Sequence, residues 1–281
     1  MEAKIIVDSS CDLTPAMRKV LRLEVASLKI ESNGKHFIDD ENIDIKNLIY
    51  NMKQSRDPVS TACPAPEEYA ELMRKANESF VVTLSSQLSG SYNSACVARD
   101  MVLEETPDKK IYVVDSGSAA AGELRLALLL RDFVDLGLCF EEIVDKIKAF
   151  LSTMCTMFVL EDLSNLVKNG RISRVAGLLG TMLSLRPIMG ENGHGEIILV
   201  EKVRGTQNAL RRLVELVGEK TAKAAESSIT LVLSYCNCPE RATALKKEFL
   251  AGCKALKDVI IVPTSGLSTA YASDGGIIIA F

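Results

Sequence analysis

Phe80-Val81-Val82-Thr83-Leu84-Ser85-Ser86-Gln87-Leu88-Ser89-Gly90-Ser91 is the stretch on which the fold turns. A short apolar, β-branched run gives way to hydroxyls and one glycine, and a helical pattern from Tyr92 to Glu104 follows. That is the signature of a buried strand feeding a helix. The same grammar recurs on either side. Ala3–Val7 runs into Asp8-Ser9-Ser10, with Thr14-Pro15 placed as an N-cap and first helical residue. Ile111–Val114 runs into Asp115-Ser116-Gly117-Ser118 and a long helix over Ala119–Leu136, with Gly137 as its C-cap. Strand alternating with helix predicts a parallel sheet with helices on its faces. In such sheets the loops after the strands converge on the crevice where ligands bind.

Further along, Glu24–Ile30 reads as one strand, His36–Asn42 as a polar connection, and Ile45–Gln54, Glu67–Ala76 and Phe140–Thr153 as helices. After Thr153 the pattern changes. Thr156–Leu160, Leu185–Met189, Glu196–Val203, Ser228–Ser234, Val259–Val262 and Gly275–Ala280 read as strands, and Leu163–Lys168 as an amphipathic segment. Val175–Leu183 is small and apolar. Gln207–Gly218 and Pro239–Ala251 read as helices, and Glu191-Asn192-Gly193-His194-Gly195 as a hairpin turn. The expected fold is α/β in two domains: an N-terminal parallel-sheet domain over 1–153 and a C-terminal mixed or antiparallel α/β domain over 154–281.

Composition narrows the function. The 281 residues are 47% hydrophobic and 5% aromatic with no Trp, so the core is mainly aliphatic; the same content suits a cavity for an aliphatic ligand. The net charge of −4 and the lack of a basic patch argue against nucleic acid. No run approaches roughly 18 uncharged apolar residues, and Glu2 and Asp8 interrupt any leader pattern, so a cytoplasmic protein without an integral membrane segment is expected. The eight Cys are scattered, with only Cys236-Asn237-Cys238 close-spaced, and His36 and His194 are the only imidazoles. Reduced thiols, no metal site and no cofactor are expected.

The loops themselves suit an oxyanion. Gly90 admits a ligand to the backbone, the first N–H groups of the following helix point outward, and a Ser hydroxyl adds a donor. The alternative for each loop is a serine that caps only its own helix. Thr61, ahead of Pro64 and Pro66, either caps a helix or turns its hydroxyl into the crevice. Arg171 and Arg204 each neighbour a glycine and can reach an anion or lie solvated on the surface. Asp8, Asp12 and Asp115 form an acid/base cluster or, more simply, Asp8 and Asp115 order their loops by Asx turns. No nucleophile elbow, P-loop, dinucleotide fingerprint or zinc-protease motif is present, and two His leave few options for a triad.

Several of these stretches are shared with a known family. Val7-Asp8-Ser9-Ser10-Cys11-Asp12-Leu13 is similar to the opening motif of the DegV family of bacterial fatty-acid-binding proteins. Leu84-Ser85-Ser86-Gln87-Leu88-Ser89-Gly90-Ser91-Tyr92 resembles that family's S-S-x-L-S-G-[ST]-Y motif, the most specific of the set. Thr61-Ala62-Cys63-Pro64-Ala65-Pro66 resembles T-S-Q-P-x-P, with Ala62 and Cys63 as departures. Lys168-Asn169-Gly170-Arg171-Ile172-Ser173, Leu185-Arg186-Pro187-Ile188 and Lys202-Val203-Arg204 resemble downstream signatures, and the likeness runs essentially end to end.

The resemblance implies a carrier that encloses one long-chain fatty acid, such as palmitate, stearate or oleate. Its carboxylate would lie on Thr61 and Ser89 with the Gly90 amide nearby. It implies a binding subunit that presents the acid to a separate fatty-acid kinase catalytic subunit, in phospholipid metabolism, with transient membrane contact and no catalysis of its own. Arg171 and Arg204 would then be contacts for the transferred phosphate or for the kinase. Many members carry a His near the C-terminal glycine-rich loop; Val262-Pro263-Thr264-Ser265-Gly266 stands in the comparable stretch here, so Thr264 or Ser265 is the expected replacement. Tail preference would depend on residues such as Met154, Met157, Phe158 and Met182. The runner-up is an enzyme, a hydrolase or phosphotransferase with Ser89 or Ser10 as nucleophile. A third reading is a sensor whose crevice takes phosphate or a sugar acid.

Overall fold

The structure, a computed structural model, describes residues 3–172 and 185–281. The small, apolar stretch Val175–Leu183, which includes Met182, and Ser173 lie outside the described residues. The chain runs β1 (Lys4–Asp8), α1 (Pro15–Val20), β2 (Leu23–Ala26), β3 (Lys29–Ser32), β4 (Lys35–Ile38), α2 (Ile45–Gln54), β5 (Ser60–Ala62), α3 (Pro66–Met73), β6 (Glu78–Thr83), α4 (Ser91–Glu105), β7 (Lys110–Asp115), α5 (Ala121–Asp135) and α6 (Phe140–Leu151). It continues through β8 (Thr156–Val159), α7 (Ser164–Lys168), β9 (Leu185–Glu191), β10 (Ile197–Arg204), α8 (Thr206–Thr221), β11 (Ile229–Tyr235), α9 (Pro239–Gly252), β12 (Leu256–Pro263), α10 (Gly266–Ala272) and β13 (Ile277–Ala280).

The first sheet has the order β2-β1-β6-β7 and every pairing is parallel. Alternation along its strands sorts the side chains between two faces. Ile6, Val81 and Val113 meet Tyr69, Ala70 and Met73 of α3 and Ala95, Ala98 and Val102 of α4. Ile5, Val7, Phe80, Val82 and Val114 meet α5 and α6 through Leu124, Ala127, Leu130, Ile143 and Ile147. Thr14 caps α1 by accepting from the Met17 N–H at 3.2 Å, with Pro15 at the first turn as the sequence predicts.

The second sheet has the order β10-β9-β8-β13-β11-β12 and is antiparallel except for β11 with β12. One face, with Met157, Val159, Ile188, Leu231, Leu233, Ile277 and Ile279, is covered by α8 and α9 through Leu213, Val217, Leu245 and Phe249. On the other face Val232, Val262 and Ala280 join the same cluster as α5 and β1, so α5 is buried between the two sheets. The rest of that face, with Phe158 and Ile278, looks into the interior space described below.

Two expectations need correction. The strand predicted over Glu24–Ile30 is two strands in different sheets: β2 ends at Ala26 and β3 begins at Lys29. Leu28 makes the break, because its N–H donates to Ser9 Oγ at 2.9 Å and its carbonyl accepts from the Asp39 N–H at 2.9 Å, which removes both groups from the first sheet's ladder. The predicted polar connection over His36–Asn42 contains β4, which forms with β3 and β5 a small antiparallel sheet of order β4-β3-β5. Asn33 and Gly34, at φ +53° and +69°, make the tight turn between β3 and β4.

Candidate functional site

The three hydroxyl loops do end side by side at the carboxyl edge of the first sheet, and two aspartates, buried Asp8 and half-buried Asp115, order them. Asp8 Oδ1 accepts from the Ser10 N–H at 3.0 Å and Oδ2 from the Leu84 N–H at 2.9 Å, joining the first loop to the second. Asp115 Oδ1 accepts from Ser86 N and Gly117 N, both at 3.1 Å, joining the second to the third. The Asx reading of these two acids is therefore the observed one. Asp12, fully buried, instead accepts the Ser265 N–H at 2.8 Å.

Over these loops lies a cavity of about 360 Å³, closed on its far side by the second sheet. Its wall changes character. Thr61, Cys63, Ser89 and Gly90 come together in one part, and Leu84, Leu88, Phe158, Leu160, Leu166, Ile197, Leu267 and Ile278 make the apolar part. Thr61 lies on β5, whose pairing with β3 aims it inward, and its Oγ1 is 3.1 Å from the Tyr271 hydroxyl on α10. Cys63 sits over Gly90: a Cβ on Gly90 would lie 3.3 Å from the Cys63 sulfur. Ser94 Oγ donates to the Pro64 carbonyl at 2.6 Å and holds that loop against α4. Ser89 serves its own helix as well as the cavity, since its Oγ accepts from the Ser91 N–H at 3.2 Å.

Arg171 also lines the cavity; its Nε donates to the Leu88 carbonyl at 3.2 Å and its Nη1 to the Asn169 carbonyl at 2.5 Å. Arg204 does not: it ends β10 exposed, with its carbonyl accepting from Asn208. Thr264 and Ser265 do not line it either. The Thr264 hydroxyl is paired with that of Thr269 at 2.7 Å, and Ser265 spends its N–H on Asp12. The same segment instead contributes Leu267, Ser268, Tyr271 and Ala272 from α10. Of the tail candidates Phe158 faces the cavity, whereas Met157 points into the core under α8 and α9 and Met154 packs beside α5 and α6.

Sequence reasoning missed α10 and the acids behind it. Asp39 accepts the Gly266 N–H at 2.7 Å and the Leu267 N–H at 2.9 Å, pinning the first turn of α10. Glu123, in the first turn of α5, is fully buried and accepts a hydrogen bond from the Ser10 hydroxyl. Burial pushes all four carboxyls upward: Asp39 to about 7, Asp12 to about 6, and Asp8 and Glu123 in the same direction. The Asn33-Gly34 turn was a readable signal for β4; an acid in an ordinary helical pattern gives none for burial.

Cys236 and Cys238 flank the turn between β11 and α9 as free thiols, and burial pushes Cys238 up to about 11, away from thiolate chemistry. Among the described residues no group of three His, Cys, Asp or Glu is arranged to hold a metal ion, and no helix is long and apolar enough to cross a membrane. Both imidazoles, His36 and His194, are exposed.

A family profile described as uncharacterised proteins of the DegV family matches residues 2–281. The chain belongs to the DegV family. A DegV domain-containing protein of Streptococcus pyogenes is 34% identical over 286 residues, covering 100% of this chain and 99% of its own. Among solved structures, a DegV family protein from Ruminococcus gnavus, refined with vaccenic acid, is 36% identical with a TM-score of 0.92 and covers 99% of each chain. The fatty acid kinase (Fak) B3 protein of Streptococcus pneumoniae, loaded with linoleic acid, is 32% identical with a TM-score of 0.88, covering 100% of this chain and 99% of its own. The DegV arrangement of a parallel N-terminal sheet and a mixed C-terminal sheet is the one described above.

Proposed function

We propose that this chain binds one long-chain fatty acid in the cavity between its sheets, with the carboxylate on Thr61, Ser89 and the Gly90 amide. The observation that carries the reading is one cavity that joins hydroxyls beside a helix start to a lining of leucine, phenylalanine and isoleucine. The apolar part supplies affinity, at roughly 0.8 kcal/mol per buried CH₂. Two hydroxyls and an amide suffice to orient the head. Such a neutral grip leaves the carboxylate nucleophilic. The fatty-acid-loaded relatives support the ligand class, and the kinase B3 protein supports a partner: a separate ATP-dependent catalytic subunit to which this chain presents the acid for acyl-phosphate formation. Arg171, at the cavity, and Arg204, exposed on β10, are the proposed contacts for the phosphate or that subunit. The division into 1–153 and 154–281 is proposed as a division between sheets.

The enzyme alternative needs a base beside a serine. Ser10 is bonded to Glu123, a carboxyl that burial pushes well above the usual carboxylate range, Ser89 is bonded to Ser91, and both imidazoles are exposed, so neither serine has a histidine base beside it. Native mass spectrometry of the purified protein with organic extraction tests the carrier reading. A stoichiometric acid of long chain length is expected. An apo mass that also refuses added oleate and palmitate would sink it. Thr61→Ala and Ser89→Ala should each weaken binding by about 1–2 kcal/mol, as for a lost hydrogen bond to a charged group.

A further inference from the structure

One polar spot in the cavity is not used by the head-group cradle. Ser118, after β7, and Thr156, at the start of β8, both line the cavity, are both buried, and have their hydroxyl oxygens 2.7 Å apart. The pair holds two hydroxyl protons and its mutual bond uses one. If Thr156 donates to Ser118, the Ser118 proton has only the Ala119 carbonyl, 3.4 Å away, too long for an O–H···O bond of ordinary strength. If Ser118 donates to Thr156, the Thr156 proton has no other partner among the described residues. Either way one buried donor is poorly satisfied, which is uncommon in an interior. The backbone is arranged around the pair. Ala120 adopts φ +55°, ψ −117°, turning the chain into α5. Residue 122 is glycine where a Cβ would collide with Ser118 Oγ and come 3.2 Å from Thr156 Oγ1.

The spot lies well along the cavity. Thr156 and Phe158 face it from one side of β8, and Leu160 continues that floor. Leu160 packs with Leu166 and Tyr271, and the Tyr271 hydroxyl meets Thr61. From Leu160 back to Thr156 is about 13 Å at the rise of a β-strand. From the head-group side, the Ser118 carbonyl accepts from Ser85 N at 2.7 Å and the Ser85 carbonyl from Ser89 N at 3.1 Å, so the pair stands two backbone hydrogen bonds, on the order of 10 Å, from Ser89, a span that the first half of a long acyl chain covers. The pair is two neutral hydroxyls with no cationic side chain bonded to either among the described residues, so it matches a neutral oxygen.

We infer that Ser118 and Thr156 form a second subsite that receives an uncharged oxygen in the middle of the acyl chain, making mid-chain hydroxy and oxo fatty acids ligands of this protein. The inference rests on the fatty-acid reading above. In a wholly apolar cavity a buried, unmatched hydroxyl weakens binding by about tenfold or more. Here the matching donor removes that loss.

The test is competition of stearate, 10-hydroxystearate and 12-hydroxystearate against a dansyl-labelled fatty acid on the full chain. Wild type should bind at least one hydroxy acid as tightly as stearate. Ser118→Ala should weaken that hydroxy acid about tenfold relative to stearate, and Thr156→Ser, which keeps a hydroxyl, should leave the ratio within about threefold of wild type. A merely structural hydroxyl pair would lower the melting temperature of Ser118→Ala without moving the ratio, and that result overturns the inference. So does a wild type that binds stearate while rejecting both hydroxy acids by tenfold or more. Failure of wild type to bind any of the three overturns the fatty-acid reading itself.

Discussion

Asp39 ties the pH dependence of stability to the wall of the cavity. Its carboxyl is 3% exposed and holds the Gly266 and Leu267 N–H groups at the start of α10. Burial outweighs those bonds and raises it from 3.8 to about 7. A folded value above the unfolded one means the native state takes up the proton first. This group's contribution is therefore fully present below pH 3.8 and is lost as the pH rises through about 7. A rise of roughly three pH units at about 1.4 kcal/mol each gives an upper figure of about 4 kcal/mol. Asp12, itself raised to about 6 and electrostatically coupled to Asp39, shares part of it. A working expectation is therefore roughly 2–4 kcal/mol. Asp39→Asn keeps one acceptor for α10 and cannot ionise. Urea unfolding of both proteins across about pH 4.5 to 8 should show the variant gaining that amount relative to wild type as the pH rises. Curves that stay parallel within about 0.5 kcal/mol over the whole range would refute a buried, proton-binding Asp39.

Gly122→Ala should destabilise by about 1–3 kcal/mol, because the new Cβ meets Ser118, which is fixed by its own backbone bonds to Ser85 and Ser116; thermal unfolding reads it. Leu124→Ala, in the fully buried face of α5, should lose about 2–5 kcal/mol in denaturant unfolding, and a loss below about 1 kcal/mol would contradict its place in the core. Arg171→Ala should impair acyl-phosphate formation with the kinase subunit while sparing lipid binding in a direct titration; equal loss of both would place Arg171 in the lipid site instead.

The parallel half of the fold was legible because each strand states its burial locally and each loop states its turn chemistry, as Phe80–Ser91 does in a dozen residues. Ser89 and Gly90 line the cavity as their loop chemistry allowed, whereas Thr61 read equally well as a helix cap until the pairing of β5 with β3 placed it in the wall. What was not legible depends on partners far away in the chain. Glu24–Ile30 reads as one strand until Ser9 claims the Leu28 N–H. Asp39 looks like one more acid in Asp39-Asp40-Glu41, and only the Gly266 and Leu267 amides, 227 and 228 residues on, distinguish it. Thr264 and Ser265 carry the right chemistry for a head-group contact, but neighbours at Thr269 and Asp12 engage them first.

The position of α5 bears on how the molecule comes apart. Its apolar surface is divided between Ile5, Val7 and Val82 of one sheet and Val232, Val262 and Ala280 of the other. A chain ending at Thr153 would leave one flank of that helix bare to water, and a chain beginning at Met154 would lack the helix that covers the second sheet's inner face. Unfolding should therefore be a single cooperative transition, with amide exchange in β1 and in β11 slowed to the same degree. The floor and roof of the cavity would then form and dissolve together.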